Sequence, residues 1–186
     1  MLGMNDRARL VIGVAGRIGS GKTVVARYLA ECHGFEYLRY SFVLADWYQE
    51  DPEAKMRLQT VGWEVMSGPG QRDLNRRLIS GIDDARDCAV DGLRHPIDFE
   101  SLRNAFAKSF FLVYIDTPRE IRFERLRDRY PTYDEFLAAD SHPVESHIEE
   151  LVPLASATLS GAEPIGQVDP KIDQLVREFG ARSEGL

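Results

Sequence analysis

One eight-residue segment constrains the fold of this 186-residue chain more than any other. Residues 16–23 read GRIGSGKT, with glycines at the first and sixth positions, a lysine at the seventh and a hydroxyl at the eighth. Glycines in this spacing let successive backbone N–H groups converge on one anion, and the lysine and the hydroxyl supply a cation and a metal ligand beside it. The spacing predicts a loop that holds a nucleotide polyphosphate. The residues expected to contact it are Gly16, Ile18, Gly19, Ser20, Gly21, Lys22, Thr23 and Val24.

The segments on both sides of this loop predict a strand before it and a helix after it. Residues 10–15 read LVIGVA, a short apolar run that is typical of a buried parallel strand. Apolar side chains recur at helical spacing over residues 24–29, so the loop opens onto a helix N-terminus, where the helix dipole favours an anion. We expect Lys22 to reach the β- and γ-phosphates and Thr23 to be a ligand of Mg²⁺.

Strand-like and helix-like segments alternate along the rest of the chain. Further strands are predicted at 35–40, 88–92, 110–115 and 158–159, and helices at 42–50, 53–66, 71–86, 96–106, 118–130, 144–155 and 170–179. This alternation predicts a parallel sheet covered on both faces, an α/β protein of three layers (α/β/α) with about five strands. We expect a flexible N-terminus over residues 1–9 and a single domain over 10–186. The polar segment at about 130–143, which contains two prolines, is expected to be a small lid.

Composition limits the class of the protein and of its partners. The formal net charge of −7 argues against a nucleic-acid groove as the main surface, although a local cluster of arginines can still bind an anionic substrate. No apolar run approaches the length of a membrane span, and residues 1–9 lack the apolar stretch of a signal peptide. Cys32 and Cys88 are expected to be buried free thiols in a reducing compartment, so we expect a cytoplasmic protein. The four histidines have no metal-ligand spacing, so no zinc site is predicted.

A carboxylate at the end of a neighbouring strand should complete the metal side of the site. The two candidates are Asp91, after the run 88–90, and Asp116, after the run 110–115. Asp91 is followed by a glycine and then, three residues on, by Arg94, although Asp-Gly is also a common turn dipeptide. Beside the phosphate-binding loop we favour Asp91 as the group that organises Mg²⁺ or the accepting hydroxyl, and Arg94 as a ligand of the acceptor's phosphate.

The predicted helix from Pro118 carries an unusual concentration of arginines. At about 100° per residue, Arg122, Arg125 and Arg129 fall within one narrow arc, while the acidic residues form a separate ridge. Like charges at these spacings repel each other, so the sequence segregates its charge at a cost. The ridge is either a solvated face with local ion pairs or a surface that lies against an anion. We favour the second interpretation, in which Arg125 and Arg129 neutralise charge on a transferring phosphoryl group.

Candidates for binding a second substrate lie between the second and third predicted strands. Arg72 and Arg76 share a helix face, and Arg57 lies upstream of them. These arginines either grip a phosphate of the acceptor or are surface charge. Ser41 follows the second predicted strand, beside aromatic residues that either stack on the acceptor's ring or pack in the core.

Together these segments resemble the P-loop kinases of small nucleotides. The segment GRIGSGKT is similar to the loop of dephospho-coenzyme A kinases, and RLQTVGWE at 57–64 resembles the stretch after the substrate-binding helix of deoxynucleoside monophosphate kinases. Residues 91–94, DGLR, are similar to the DGFPR turn of adenylate kinases, one residue shorter. Residues 116–118, followed by Arg125 and Arg129, match the strand, helix and lid pattern of the whole group.

This resemblance covers most of residues 10–160 and implies a P-loop NTPase fold that binds ATP and Mg²⁺. It further implies transfer of the γ-phosphoryl group to a nucleoside monophosphate or a similar small phosphorylated acceptor. Two departures leave the acceptor and the adenine loop around 162–166 open. Residues 39–42 read RYSF where dephospho-coenzyme A kinases carry an Asp-Ala-Asp-like turn, and residues 160–161 read SG where relatives often have an Asn. The alternatives are a dephospho-coenzyme A kinase-like enzyme, a nucleotide-binding regulatory module without phosphotransfer, and a kinase of nucleic-acid ends or bases.

Overall fold

The core of the protein is a sheet of five parallel strands. The computed structural model describes residues 9–185, in which the strands are β1 (Val11–Ala15), β2 (Glu36–Arg39), β3 (Cys88–Leu93), β4 (Phe110–Asp116) and β5 (Ala157–Ser160). Their spatial order is β2-β3-β1-β4-β5, and each neighbouring pair is parallel. Because β1 lies at the centre of the sheet, the phosphate-binding loop leaves the carboxyl edge between β3 and β4. The predicted α/β fold with about five parallel strands is confirmed.

Helices cover both faces of the sheet. Within residues 9–185 they are α1 (Lys22–His33), α2 (Tyr40–Tyr48), α3 (Lys55–Met66), α4 (Gly70–Ser80), α5 (Pro96–Phe106), α6 (Arg119–Arg125), α7 (Tyr133–Asp140) and α8 (Ile165–Glu184). Successive residues of β1 point to opposite faces, so Val11 packs with α2 to α5 and Ile12 packs with α1 and α8. Burial on both faces is the physical reason why the run at 10–15 is apolar without alternation.

Four helix predictions had wrong extents. The helix predicted at 71–86 ends at Ser80, and the helix predicted at 118–130 ends at Arg125. Beyond that point Leu126 joins an apolar cluster with Ile18 and Phe136, and the chain turns with it. Residues 144–155 form two short 3₁₀ segments instead of one α-helix. The last helix was predicted to begin at Pro170, since proline is common in the first turn of a helix. It begins five residues earlier, and Pro170 lies inside it.

The segment 130–143 contains a helix that was not predicted. Helix α7 begins with a capping box, in which Thr132 Oγ1 accepts from the N–H of Glu135 and the Glu135 carboxylate accepts from the N–H of Thr132. The T-x-x-E pattern at 132–135 is a sequence signal for such a helix start. Phe136 of α7 is fully buried against Ile18 of the phosphate-binding loop. The segment is therefore docked on the loop in this structure, and its role as a lid stays a prediction.

Asp91 and Gly92 do not form a turn. Val14 pairs with Asp91 and Ala15 pairs with Leu93, so Gly92 is the extra residue of a β-bulge inside β3. Its φ of +93° is a conformation that glycine adopts without strain. The bulge lies directly after Asp91, at the carboxyl edge of the sheet where ligands of such folds bind.

The prediction of two buried thiols was half right. Cys88 is buried in β3, where burial raises the pKa of its thiol to about 12. Cys32 is exposed near the end of α1, so the prediction is wrong for this residue. Cys32 is the last residue but one of α1, and it can face solvent because the helix is packed on one side only.

The two ends of the chain lie at the limits of the structure. A flexible N-terminus was predicted over residues 1–9, and residues 1–8 of it lie outside the described residues. Arg9 is described, and its guanidinium donates to Asp84 Oδ1 at 2.7 Å and lies over the ring of Phe106. Between Arg9 and residue 185, no helix is both long enough and apolar enough to cross a membrane.

Candidate active site

The phosphate-binding loop is held open by a backbone that only glycine tolerates. Gly16 has a φ of +150°, and a Cβ at this position would lie 2.6 Å from Ser20 Oγ and 2.7 Å from the carbonyl oxygen of Ile115. Any larger residue would therefore push the loop away from the end of β4. The first glycine of the motif is required by this close approach as well as by its own conformation.

Lys22 lies almost fully buried at the start of α1. Its Nζ donates to the carbonyl oxygen of Arg17 at 3.2 Å, so the side chain folds back across the loop. Burial lowers the pKa of this ammonium, and the nearby carboxylates of Glu145 and Asp91 partly oppose that effect. A buried cation at a helix N-terminus provides a strong site for an anion.

Asp91, on β3, joins the loop to the neighbouring strand β2. Its Oδ2 accepts from Thr23 Oγ1 at 2.7 Å and from the hydroxyl of Tyr37 at 2.8 Å, and Arg39 Nε lies 3.5 Å away. Burial, followed by the charge and the hydrogen bond of Asp91, raises the pKa of Tyr37 to about 12, so this hydroxyl stays a donor. Oδ1 is buried and has no hydrogen-bond partner among residues 9–185. Asp116, the other candidate, is exposed at the end of β4.

A cavity of about 360 Å³ opens beside the loop; we refer to it as the larger cavity. Lys22, Thr23 and Asp91 line one end of it. The cationic side chains in its wall are Arg39, Arg94 and Arg129, and the apolar side chains include Leu44, Leu58, Met66, Leu74 and Val144. The lining therefore combines cations beside the loop with apolar side chains and with polar ones such as Ser41, Gln59 and Gln71.

Glu145, which the sequence did not single out, completes the wall of the larger cavity. This carboxyl group is 1% exposed, and its Oε2 accepts from the backbone N–H of Ile18 at 3.2 Å. Its Oε1 lies 2.9 Å from Arg94 Nη1. Arg94 is thus held toward the phosphate-binding loop, where a ligand would meet its remaining donors.

A smaller cavity of about 210 Å³ adjoins another part of the loop. Ser20, Gly21, Val24, Arg125, Gly161, Glu163 and Val168 are among the residues that line it. Arg125 Nη2 donates to the carbonyl oxygen of Gly161 at 2.5 Å, and Nη1 donates to the carbonyl oxygen of Ser20 at 3.3 Å. Arg125 therefore ties the loop to the segment that follows β5.

The predicted ridge of three arginines is wrong, because α6 ends before Arg129. Arg122 is buried and donates to the carbonyl oxygens of Ile18 and Thr117 and to the carboxylate of Asp140. Arg129 lies beyond the helix, where it is exposed, stacks on a tyrosine ring and lines the larger cavity. The three side chains therefore meet three different environments.

The arginines predicted to bind the second substrate lie elsewhere on the surface. Arg57 pairs with Glu50, and Arg76 pairs with Asp73. Neither they nor Arg72 line the two cavities described here, whereas Ser41 lines the larger one. Helices α3 and α4 turn Gln59 and Gln71 toward that cavity instead.

Several site residues had no usable sequence signal. Tyr37 and Arg39 read only as alternate positions of a strand, and Glu145 lies in the segment 144–155, which was predicted as a helix without a site residue. Gln71 follows a glycine and precedes Arg72 and Arg76, and the charges of these arginines made them the candidates in this helix. These side chains become recognisable only when distant segments are brought to one edge of the sheet.

The fold and the loop define the class to which this protein belongs. A parallel sheet of order 2-3-1-4-5 with a phosphate-binding loop after its central strand is the architecture of the P-loop kinase-like proteins, which confirms the resemblance. A family model described as "AAA domain" matches residues 12–147, and the chain belongs to this family.

Relatives and solved structures agree with that class. A UPF0200 protein of Methanothermobacter thermautotrophicus is 26% identical across 94% of this chain and 93% of its own length. A UPF0200 protein of Halobacterium salinarum is 31% identical across 64% of this chain and 65% of its own length. The shikimate kinase of Acinetobacter baumannii, solved with shikimate, has a TM-score of 0.60 at 21% identity and covers 92% of this chain and 95% of that one. A gluconokinase of Sinorhizobium meliloti has a TM-score of 0.55 at 16% identity, covering 96% and 93%. These two similarities show the fold.

Proposed function

We propose that this protein is an ATP-dependent kinase that transfers the γ-phosphoryl group to a nucleoside monophosphate or a similar small phosphorylated acceptor. One observation carries the proposal. The larger cavity brings Lys22 and the Thr23–Asp91 pair together with three arginines, and apolar side chains make up much of the rest of its lining. A donor phosphate and an acceptor phosphate would meet beside these cationic side chains.

We assign the nucleotide donor to the loop and the smaller cavity. The loop amides and Lys22 would hold the polyphosphate of ATP, because they converge at the N-terminus of α1. The base would lie in the smaller cavity, against Val24 and the guanidinium of Arg125. The sequence predicted that Arg125 contacts the transferring phosphoryl group. In this assignment Arg125 contacts the base of ATP instead.

Thr23 and Asp91 fit a divalent metal ion. The buried Oδ1 of Asp91 has no protein partner among the described residues, and a carboxylate oxygen with a neighbouring hydroxyl is a donor set that Mg²⁺ accepts. No group of three His, Cys, Asp or Glu side chains clusters within residues 9–185, so the remaining ligands would be water or phosphate oxygens. When bound, Mg²⁺ would supply positive charge to the phosphates.

The apolar part of the larger cavity favours a nucleobase over a polyol. Each hydroxyl of a sugar needs a hydrogen-bond partner when it is buried. The apolar side chains Leu58, Met66 and Leu74 offer none, and the polar side chains Ser41, Gln59 and Gln71 offer only a few. An aromatic ring carries a few polar atoms on a large apolar body, which suits this wall. Among the proteins of similar fold are a shikimate kinase that was solved with shikimate and a sugar kinase. The apolar lining of the larger cavity argues for a different acceptor in this protein.

Arginines replace a general base in the proposed mechanism. A phosphate monoester is mostly dianionic at neutral pH, because its second pKa is about 6, so its oxygen needs no deprotonation before it attacks. The difficulty is repulsion between two anions, which Arg39, Arg94 and Arg129 would reduce while they position the acceptor. The bond from the γ-phosphorus to the leaving ADP oxygen breaks as the bond to the acceptor oxygen forms.

The test is an ADP-release assay with Mg·ATP and a panel of acceptors. The panel holds the common ribo- and deoxynucleoside monophosphates, dephospho-coenzyme A, shikimate, gluconate and short oligonucleotides. We expect one nucleoside monophosphate to stimulate release strongly and Lys22→Ala to lower kcat at least about 100-fold, because it removes a phosphate ligand.

Arg76→Ala is the matched control, since Arg76 is 79% exposed and lies outside both cavities. It should keep wild-type rates, and thermal denaturation should show both variants to be folded. ATP binding without stimulated release by any acceptor would contradict the proposal and favour a nucleotide-binding module. Near-normal activity of Lys22→Ala would contradict the assignment of the loop.

A further inference from the structure

Gln71 is a buried amide in the wall of the larger cavity. It lies in the first turn of α4, is 3% exposed, and lines the cavity together with Leu74, three residues later on the same helix face. Leu74 beside it is apolar, so Gln71 is a polar group next to apolar lining. A polar group in such a place can distinguish ligands by a single hydrogen bond.

The orientation of this amide is set by Asp98. Asp98 Oδ2 accepts from the backbone N–H groups of Arg94 and His95, both at 3.0 Å. Asp98 Oδ1 accepts from Asn75 Nδ2 at 2.8 Å and from Gln71 Nε2 at 2.5 Å. Because a carboxylate only accepts, Gln71 must turn its NH₂ group toward Asp98. The assignment of oxygen and nitrogen in this amide therefore follows from the network.

The other end of the amide is left without a partner. Gln71 Oε1 is buried and accepts no hydrogen bond from any residue in the range 9–185. A buried acceptor that is left unpaired is unfavourable, and native proteins rarely keep one without a function or a ligand. The Nε2 atom is already committed, so Oε1 is the atom of Gln71 that a ligand in the cavity can use.

We propose that Gln71 determines which acceptor is phosphorylated, by accepting a hydrogen bond from an N–H group on the edge of its nucleobase. This inference rests on the proposed function, in which the larger cavity takes the acceptor. A base that offers an N–H to Oε1 satisfies the buried oxygen, and an analogue without that N–H leaves it unpaired. Discrimination of this kind exceeds what an apolar wall achieves by shape.

The experiment removes the hydrogen bond from both sides. The ligand pairs each differ by one amino or ring N–H group: AMP and purine riboside 5′-monophosphate, GMP and 1-methylguanosine 5′-monophosphate, CMP and zebularine 5′-monophosphate, UMP and 3-methyluridine 5′-monophosphate. Binding is measured by calorimetry with ADP present, and KM and kcat by ADP release. For the pair whose parent is phosphorylated, we expect the donorless analogue to have a KM roughly 10- to 100-fold higher on the wild-type protein.

Gln71→Met keeps the size of the side chain and removes the acceptor. We expect its KM ratio between analogue and parent to fall to about 1, with the KM for ATP unchanged. Asn75→Ala is the matched control, because it also removes an amide donor from Asp98 but does not line the cavity. It should lower stability and keep the wild-type ratio.

The outcomes separate this inference from the proposed function. Equal KM values for parent and analogue on the wild-type protein would overturn the role of Gln71, even if the variants do not fold. Phosphorylation with an unchanged ratio in Gln71→Met would overturn the same role and leave the kinase proposal intact. Failure of every acceptor in the panel of the first experiment to bind or react would overturn both.

Discussion

In the proposed function, Asp91 is the residue on which binding of Mg²⁺ depends. Its Oδ2 is occupied by Thr23 and Tyr37, and its buried Oδ1 is the atom left for a cation. The β-bulge at Gly92 follows it directly and locally twists the strand at the carboxyl edge. A carboxylate held in this way is preorganised, because its partners fix it before a ligand arrives.

We expect Asp91→Asn to raise the Mg²⁺ requirement by at least about 10-fold and to lower kcat by about 100-fold, since the amide keeps the shape and loses the charge. The measurement is a Mg²⁺ titration of ADP release at saturating ATP. Asp116→Asn is the control, because Asp116 is exposed at the end of β4, and it should stay within about twofold of the wild type. Wild-type Mg²⁺ dependence in Asp91→Asn would contradict the assignment.

At the scale of elements, a buried ion network fastens α7 to the phosphate-binding loop. Asp140, 1% exposed at the end of α7, pairs with Arg122 through both carboxylate oxygens. Arg17 of the loop donates to the same carboxylate and to the Asp140 carbonyl oxygen. Arg119 Nε lies 3.4 Å from it. The network holds the end of α7 against the loop.

We expect Asp140→Asn to lower the free energy of unfolding by about 3–5 kcal/mol, because it leaves the buried guanidinium of Arg122 without a counter-charge. The measurement is urea denaturation at neutral pH. Glu124→Gln is the matched control, since it breaks the exposed Glu124–Arg127 pair and should cost at most about 1 kcal/mol. Equal losses in the two variants would contradict a structural role for the network.

The effect of Asp140→Asn on the free energy of unfolding should also depend on pH. Burial alone would raise the pKa of Asp140, but the hydrogen bonds and charges of Arg122 and Arg17 hold it below its ordinary value. A depressed pKa in the folded state gives stability that is present above the ordinary carboxyl pKa of about 4 and is lost as the pH falls through the folded pKa. The difference in unfolding free energy between wild type and Asp140→Asn should therefore shrink below about pH 4. A constant difference down to pH 2 would contradict this.

At the scale of the whole molecule, the loop separates two cavities that different segments complete. The larger cavity draws on β2, α3, α4 and the segment after β3, while the smaller one draws on α6, α8 and the segment after β5. Gly21 of the loop lines both. A kinase needs this division, because donor and acceptor must bind independently and still meet at one phosphate.

We expect Arg125→Ala and Arg94→Ala to affect different substrates. Arg125→Ala should raise the KM for ATP by about 10-fold and leave the KM for the acceptor unchanged, because Arg125 lines only the smaller cavity. Arg94→Ala should do the reverse, because Arg94 lines only the larger one. Initial rates with each substrate varied in turn give both values. A larger effect of Arg125→Ala on kcat than on the KM for ATP would contradict this assignment. It would indicate that Arg125 contacts the transferring phosphoryl group.

Much of the fold could be predicted because its signals are local. The loop GRIGSGKT, the unbroken apolar runs of β1 and β4, and the alternation of strands and helices all depend on neighbours in the chain. Boundaries were less well predicted where tertiary packing decides them. Leu126 leaves the helical path to join Ile18, and α7 depends on Asp140 meeting Arg17 across 123 residues.

The sequence by itself determined that this protein has a phosphate-binding loop between a buried strand and a helix of a parallel sheet, since glycine spacing and apolar periodicity act within a few residues. Only the tertiary structure decided which side chains share that loop's surroundings. Thr23 meets Asp91 across 68 residues, and Ile18 meets Glu145 across 127. Asp91 and Asp116 have similar positions after apolar strands, but Asp91 is buried beside Thr23 and Asp116 is exposed. Contacts over such separations depend on strand order and packing, which no local pattern encodes.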